Sequence, residues 1–517
     1  MFKPYKTEAK SLRRYEPDVL LDAISKTSVW RKRDVRGFEE ALKKESLDYR
    51  AALRDFQLAF VAKLVLYAYD KPRLSQRRFD WKDLVQACRG VMKHDHLLGS
   101  VEEIEPYMRR VAYQQFPDFY GDNDTLARTR LLFRTCAKAV QAQRHFEIDE
   151  AFNNTTGLTV DKTWDITIAL FGLLLTQKGG VQPGPIKAGA LWKNISDTDI
   201  EKYLKLISLT PQDFQNKLRL PEFLLDPYET FNPNPLVSWP IIMLKNQAWV
   251  VPIVPYLFRR GTEQIYYDVI KSGGRAFAGF FGYVFEDYTD RMLSILKPGC
   301  EIIPETRYIN NGQTYDTCDK IVIKDGNAIL LECKTKRLSL KSKFTSDREL
   351  IRKDITDTAG ETGNVVHAIR QLNRTENDIR ANCHGLEELH KKITGRIYPF
   401  VLVLDPYYFA NTAFFRSIIV EELNKGTPLC TGYSWQILDI REFESLCSLS
   451  RQEDLISLVT KKLSTKVLEE ENMKTFLDNY IQERQIGRGI LDHPVMSSEL
   501  DELWSEIESR YGIKVKG

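Results

Sequence analysis

The stretch that decides the fold of the C-terminal half is Asp319-Lys320-Ile321-Val322-Ile323-Lys324-Asp325-Gly326-Asn327-Ala328-Ile329-Leu330-Leu331-Glu332-Cys333-Lys334. Two apolar runs flank Asp325-Gly326, a dipeptide typical of a tight turn, so the pattern predicts a β-hairpin. Asp319 lies six residues before this turn, and Glu332 lies six residues after it. Antiparallel pairing of the two strands is therefore expected to bring the two carboxylates close together.

Side-chain alternation along the second strand separates its charged residues from its apolar ones. Successive side chains of a strand point to opposite faces, so Glu332, Lys334 and Lys336 share one face. Charged groups are costly to bury unpaired, which indicates that a metal ion or a phosphate completes the site. Carboxylate and carbonyl oxygens suit Mg²⁺ or Mn²⁺ better than zinc, and such an ion beside a lysine suits phosphodiester hydrolysis. A structural ion cluster is the alternative interpretation.

Outward from the hairpin, the pattern alternates between helices and strands. The predicted elements are helix Ala276–Leu296, strands Glu301–Ile309, Lys320–Lys324 and Ala328–Lys336, helix Val365–Ala381, strand Ile397–Leu404, helix Thr412–Asn424 and strand Ser434–Asp439. The order α-β-β-β-α-β is that of a compact α/β domain, and its third strand is apolar on both faces, as a central strand is.

In this order of elements, Asp319 and Glu332-Cys333-Lys334 resemble the signature of the PD-(D/E)XK nuclease superfamily, which has the restriction-endonuclease-like fold. The resemblance covers roughly residues 275–445. It implies that Asp319 and Glu332 bind Mg²⁺, or Mn²⁺ in its place, together with the backbone carbonyl of Cys333. It also implies that Lys334 assists the attacking water. Cys318 stands where the family usually has a proline before the aspartate.

The same resemblance adds two candidate catalytic residues outside the hairpin. Glu286 lies in the helix before the sheet, where family members often place a glutamate near the metal. Gln371 lies in the helix after the third strand, where some branches keep a glutamine beside the active site. An exposed helix carboxylate and a surface amide are the ordinary alternatives. Two rival carboxylates, Glu305 on the preceding strand and Asp316 in the predicted loop, do not displace Asp319.

A run of basic residues leaves the catalytic strand directly. Those predicted to bind nucleic acid are Lys336, Arg337, Lys341, Lys343 and Arg348. From this position they are expected to reach the phosphate backbone next to the cleaved bond, although a charged loop without a binding role is the alternative. The net charge of the whole chain is only +3, which permits a nucleic-acid partner without arguing for one.

Changes of composition and periodicity predict four consecutive segments. Residues 1–235 are mainly helical and are expected to recognise a target or bind a partner, and they end in the linker Asn232-Pro233-Asn234-Pro235. Residues 236–274 are expected to hold a β-hairpin around Lys245-Asn246-Gln247 and a further linker. Residues 275–448 form the predicted nuclease domain, and residues 449–517 form a helical tail. The predicted fold class is α/β, with a restriction-endonuclease-like core after a mainly helical domain.

Cysteine spacing and apolar runs indicate the expected compartment. The eight cysteines form no CxxC pair, which is typical of a reducing compartment and offers no structural zinc site. The longest apolar run, Ile166–Leu175, is too short to span a bilayer and predicts a buried helix. The glycine-rich stretch Lys178–Gly189 lacks the Gly-Lys-Ser/Thr ending of a phosphate-binding loop. We therefore expect a cytoplasmic protein that does not associate with membranes.

These observations together predict a Mg²⁺-dependent endonuclease with DNA as the expected substrate. Large multi-domain chains of this fold are frequent in prokaryotic defence against foreign DNA, and the expected role follows by that analogy. Cutting both strands of a duplex requires two active sites, so we expect a homodimer or a partner subunit. The alternative is a nuclease-fold subunit, inactive alone, that binds nucleic acid or a partner protein and is activated only in a complex.

Overall fold

The computed structural model describes residues 5–34, 37, 40, 53–74, 77–92, 104–115, 122–190, 195–218, 229, 232–296, 299–345, 347–356, 364–425 and 434–511. Within these ranges the protein is mixed α/β, with a mainly helical N-terminal half. The chain groups into two compact units, here called the first and the second unit. The first is drawn from residues 1–129, 147–275 and 503–517, and the second from residues 130–146 and 276–502. The four segments predicted from the sequence are consecutive, whereas these units alternate along the chain.

The first twelve α-helices of the described residues lie mainly in the first unit. In chain order, α1 to α12 are Lys6–Leu12, Pro17–Arg33, Asp55–Tyr67, Trp81–Met92, Ile104–Gln115, Asp122–Arg130, Ala137–Gln141, Ile148–Thr156, Val160–Gln177, Asp197–Ile207, Pro211–Lys217 and Val254–Gly261. Helix α7 belongs to the second unit. Helix α3 is central in the first unit, because every side chain from Asp55 to Leu66 is buried. Of the described helices in the whole chain, none has the length and apolarity to cross a bilayer.

Helix α9 contains the apolar run that predicted a buried helix, and that prediction is confirmed. Its side chains Ile166, Leu170 and Leu174 are fully buried. The glycine-rich stretch follows, and two of its backbone amides are used within the first unit. The N–H of Gly180 donates to Ser25 Oγ at 3.0 Å, and the N–H of Val181 donates to an oxygen of the Asp22 carboxylate at 2.9 Å. These contacts fix the loop onto helix α2.

A small sheet in the first unit contains strands β1 Ser208–Leu209, β2 Ile241–Met243 and β3 Trp249–Val250. Strand β2 pairs in parallel with β1 and antiparallel with β3, so the predicted hairpin is confirmed with shorter strands. The second strand of the hairpin ends at Val250. Helix α12 begins at Val254, because the proline that follows occupies the first turn of a helix, where no N–H is needed.

The second unit is built on a five-stranded mixed sheet. Strands β4 to β10 are Glu301–Pro304, Arg307–Asn310, Gln313–Asp316, Lys320–Lys324, Asn327–Lys334, Ile397–Val403 and Gln436–Asp439. The sheet has the order β10-β9-β8-β7-β4, and β5 and β6 form a separate hairpin. Strands β4, β7 and β8 pair antiparallel, whereas β8, β9 and β10 run parallel. Strand β8 therefore lies at the centre, where the two kinds of pairing meet.

Helices cover this sheet. In chain order, α13 to α23 are Ile265–Leu293, Leu340–Lys343, Arg348–Ile355, Val365–Arg380, Glu387–Lys392, Ala413–Leu423, Ile440–Leu449, Leu455–Lys462, Lys466–Glu470, Met473–Arg484 and Pro494–Tyr511. Helix α16 packs on one face of the sheet through an apolar core that contains Ala328 and Leu330 of β8 and Ile369 and Leu372 of the helix. Asn364 caps this helix by accepting a hydrogen bond from the N–H of His367 at 3.0 Å.

Residues 130–146 belong to the second unit although they lie within the sequence of the first. Arg130 donates from Nε to Glu499 Oε1 at 2.6 Å, and both side chains are buried. The ring of Phe133 lies 5.2 Å from that of Phe281, and the ring of Phe146 lies 5.4 Å from that of Phe280. A buried ion pair and aromatic contacts thus attach this segment to helices α13 and α23.

One predicted strand is wrong. The run Glu301–Ile309 does not form a single strand, because β4 ends at Pro304, which has no N–H for the ladder, and β5 begins at Arg307. Strand β5 turns at Asn311-Gly312, where both residues have positive φ, and pairs with β6. Asp316 ends β6 and does not lie in a loop. The other predicted strands of this sheet are found, each ending within two residues of its expected bounds.

Candidate active site

The hairpin of β7 and β8 has the predicted turn and register. Asp325 and Gly326 have φ values of 48° and 73°, the combination that a tight hairpin turn requires. Lys320 pairs with Leu331 at the far end of the ladder. One further step along the same register places Asp319 opposite Glu332. The two carboxylates therefore belong to cross-strand neighbours at the open end of the hairpin.

Two short hydrogen bonds organise this end of the hairpin. The N–H of Cys333 donates to Asp319 Oδ2 at 2.6 Å, which fixes the aspartate against the backbone of β8. The ammonium of Lys334 donates to Glu332 Oε1 at 2.7 Å. Glu332 is only 1% exposed, and its second oxygen, Oε2, is buried without a hydrogen-bond partner among the described residues. An acceptor in this state is costly to leave unpaired, which favours a ligand that it would bind.

The backbone of Cys333 faces the same place. The N–H and the C=O of one strand residue point to the same neighbouring strand, so the carbonyl of Cys333 is directed to the side on which its N–H binds Asp319. The side chain of Cys333 points away from Glu332, and its Sγ lies 3.5 Å from Thr289 Oγ1 of helix α13. Cys333 can thus contribute a backbone oxygen beside the two carboxylates, as the resemblance implies.

A hard divalent cation fits these donors. In the described ranges no three His, Cys, Asp or Glu side chains come together as a ready-made metal cage. The oxygens at this place are those of Asp319, Glu332 and the Cys333 carbonyl. Mg²⁺ is commonly held by one or two carboxylates and keeps several waters, so this donor set suits it. The unpartnered Oε2 of Glu332 is the feature that agrees best with such a ligand.

Burial shifts the protonation of all three charged side chains. Burial, with the nearby charge of Asp319, raises the pKa of Glu332 to about 8, although Lys334 opposes the shift. Burial also raises the pKa of Asp319 above its ordinary value against the opposing effect of Lys334. Burial alone would lower the pKa of Lys334, but the two carboxylates raise it above its usual range. The lysine therefore stays charged at neutral pH, while Glu332 holds its proton more tightly than usual.

The two candidates outside the hairpin are placed differently. Glu286 is half-buried on α13, and burial, followed by the charge of Asp319, raises its pKa to about 7. It therefore lies within electrostatic reach of the hairpin. Gln371 on α16 donates from Nε2 to the carbonyl of Thr317 at 3.0 Å. Its amide contacts the backbone two residues before Asp319.

Two charged residues near the site were not singled out from the sequence. Lys320 is buried on β7, on the opposite face from Asp319, and its ammonium pairs with Asp290 of α13 at 2.8 Å. Asp290 lies one helical turn after Glu286, and this spacing was the available signal. Glu305, the rival on the preceding segment, has its pKa raised by burial and by the charges of Asp319 and Asp316. It therefore belongs to the surroundings of the site.

Three of the basic residues predicted to bind nucleic acid are accessible to solvent to different degrees. Lys341, on α14, is exposed, while Lys336 and Arg337 are half-buried. The carbonyl of Lys336 accepts a hydrogen bond from the hydroxyl of Tyr407 at 3.1 Å, which fixes the backbone two residues after the end of β8. Lys341 is therefore the clearest candidate for a phosphate contact.

The other two basic residues are held by carboxylates of the same unit. Lys343 is buried in an ion pair with Asp405, and Arg348 is paired with Glu421 at 2.7 Å. The guanidinium of Arg348 also lies over the ring of Phe414, 5.3 Å from its centroid. A phosphate contact by either residue would require it to leave these partners, so their predicted role stays a prediction.

Comparison of the chain with protein-family models, with curated proteins and with solved structures gave no match in any of the three. The candidate site is therefore defined by its own residues and their geometry.

Proposed function

We propose that this chain is a metal-dependent nuclease with a restriction-endonuclease-like core, and that it hydrolyses phosphodiester bonds in DNA. The observation that carries the proposal is the cross-strand pair Asp319 and Glu332, with Lys334 bound to Glu332 and one buried glutamate oxygen left for a ligand. The order of the second unit supports it, since a helix precedes three antiparallel sheet strands and helix α16 precedes the parallel strand β9.

The residues have separable tasks in this proposal. Asp319, Glu332 and the carbonyl of Cys333 would hold Mg²⁺. When bound, the ion would acidify a water and polarise the scissile phosphate. The ammonium of Lys334, which stays charged at neutral pH, would turn from Glu332 to orient the attacking water and to stabilise the charge that develops on the phosphate. Glu286 would accept the proton of that water, because its pKa of about 7 suits a general base near neutral pH.

The test is cleavage of plasmid, linear single- and double-stranded DNA, and RNA, with Mg²⁺, Mn²⁺ or EDTA. We expect metal-dependent cutting of DNA that falls on the order of a thousandfold in Asp319→Asn and in Lys334→Met. Asp316→Asn is the matched control, because this carboxylate lies three residues from Asp319 and is paired with Arg307 on the exposed hairpin. The control should cut as the wild type does.

Three outcomes would overturn the proposal in whole or in part. Cutting that survives in both Asp319→Asn and Lys334→Met would show that another site does the chemistry. Absence of cutting by every form, on every substrate and with either metal, would refute a nuclease that acts alone and would favour the subunit that requires a partner. Cutting of RNA but not of DNA would agree with the proposed active site but would refute DNA as the substrate.

A further inference from the structure

The backbone that leads into Asp319 is held by side chains. From the last residue of β6 towards β7, the carbonyls of three successive residues each accept a hydrogen bond from a side chain. Asp316 accepts from Arg374 Nη2 at 3.3 Å, Thr317 accepts from Gln371 Nε2 at 3.0 Å, and Cys318 accepts from Thr317 Oγ1 at 3.1 Å. In this bend the side chains supply the partners that a neighbouring strand supplies elsewhere.

Two of these donors come from one face of helix α16. Gln371 and Arg374 are three residues apart and therefore lie side by side on the helix surface. The guanidinium of Arg374 also lies over the ring of Tyr315, 4.8 Å from its centroid, so it contacts β6 in two ways. The helix is itself fixed, because its apolar face is part of the buried core beneath β8.

A third attachment on the same helix holds the other strand of the β5–β6 hairpin. Asp378 accepts hydrogen bonds from the hydroxyl of Tyr308 at 2.5 Å and from the side-chain amide of Asn310 at 2.8 Å. Both strands of the hairpin are thus tied to α16, and the chain leaves this support only two residues before Asp319. The position of the Asp319 carboxylate therefore depends on α16 through the backbone, and on β8 through the N–H of Cys333.

We infer that Gln371 and Arg374 are positioning residues that hold the backbone of residues 316–317, so that the Asp319 carboxylate stays against the Cys333 N–H and opposite Glu332. Neither residue touches the reacting atoms. Gln371 therefore has a positioning role, and Arg374 joins it as a second positioning residue of the site. The metal-binding consequence rests on the proposed function. When residues that orient a metal ligand without touching the metal are removed, metal affinity falls by about ten- to a hundredfold.

Helix α16 supplies a matched control of the same residue type. Arg370 lies one turn before Arg374, and it too donates from Nη2 to a backbone carbonyl, that of Glu422 at 2.8 Å. Glu422 lies in the last turn of helix α18 and not in the segment that leads into Asp319. Arg370→Ala therefore removes a similar side chain and a similar hydrogen bond without loosening residues 316–317.

The experiment compares wild type, Gln371→Met, Arg374→Ala, Arg374→Lys and Arg370→Ala by two measurements. The first is Mn²⁺ binding in solution, followed by the electron paramagnetic resonance of the free ion. We expect Kd to rise about tenfold or more in Gln371→Met and in Arg374→Ala, with partial recovery in Arg374→Lys and no change in Arg370→Ala. The second is hydrogen exchange of the metal-free protein at the peptide that contains Cys333, whose amide is protected by Asp319. Hydrogen exchange at this peptide should become faster only in Gln371→Met and Arg374→Ala.

The outcomes separate this inference from the function on which it rests. If wild type binds Mn²⁺ and Arg374→Ala binds it equally, with unchanged exchange at Cys333, the positioning role is wrong. If Arg370→Ala weakens binding as much as Arg374→Ala does, the effect is general loss of packing and the inference again fails. If wild type binds no Mn²⁺, the proposed metal site fails, and the exchange measurement alone then decides whether α16 positions Asp319.

Discussion

The affinity for a metal ion should rise steeply with pH and level off above about pH 8, because Glu332 must be ionised to bind a cation. Its pKa of about 8 lies well above the ordinary value of 4.5. At pH 6 about 1% of such a group is ionised, and at pH 8 about half, so the affinity for Mg²⁺ is expected to rise about fiftyfold over that range. From pH 8 to pH 9 the further gain is less than about twofold.

The assay is isothermal titration with Mg²⁺ from pH 6 to pH 9, in pairs of buffers that differ in their enthalpy of ionisation. Each pair counts the protons released on binding, which should be about one per ion at pH 7 and should fall above pH 8. Glu332→Gln removes the titrating group, so its weaker binding should no longer depend on this proton. Asp316→Asn, the control outside the site, should follow the wild-type curve.

Two results would refute this reasoning. An affinity that stays flat between pH 6 and pH 8 would mean that Glu332 is already ionised in the metal-free protein, held by the ion pair with Lys334. A pH dependence that persists unchanged in Glu332→Gln would assign the proton to another group, of which Glu286, with a pKa of about 7, is the first to examine.

Three further predictions concern stability and binding. A carboxyl whose pKa is raised in the folded state contributes stability that is fully present below its unfolded pKa and is lost as the pH rises. In EDTA the free energy of unfolding of the wild type should therefore fall by up to about 3 kcal/mol between pH 4.5 and pH 7, relative to that of Glu332→Gln. Melting temperatures of the two proteins that change in parallel with pH would contradict this. Gly326→Ala should lower the melting temperature more than Gly312→Ala, since both glycines have positive φ but only at Gly326 would a Cβ meet Thr394 Oγ1, at 2.7 Å; equal losses would exclude that contact as the cause. Lys341→Ala should reduce the slope of log affinity for duplex DNA against log salt by about 0.9, and an unchanged slope would remove Lys341 from the interface.

The central hairpin could be predicted from the sequence because all of its determinants are local. Asp325-Gly326 fixes the turn, the turn fixes the register, and the register places Asp319 opposite Glu332. The strand expected over Glu301–Ile309 failed for an equally local reason. Pro304 interrupts an otherwise β-rich run, because it has no N–H to donate to the ladder.

The supports of the site could not be predicted in the same way. The bond from Arg374 to the carbonyl of Asp316 and the pair between Lys320 and Asp290 each join residues that are 30 or more positions apart. Such contacts depend on where a helix lies on the sheet, and periodicity specifies only which face of a helix is apolar. The raised pKa of Glu332 likewise follows from the extent of its burial. The strand pattern indicates that Glu332 lies on a central strand, but it does not give the extent of that burial.

The alternation of the two units along the chain has a consequence for how the protein is made. Residues 130–146 leave the ribosome early, yet their partners in the second unit, Phe281 and Glu499, are synthesised much later. Until then Phe133 and Arg130 lack these two native contacts, while ordinary domains fold in order from the N-terminus. The second unit therefore cannot be completed, or moved intact to another gene, as one uninterrupted piece of coding sequence.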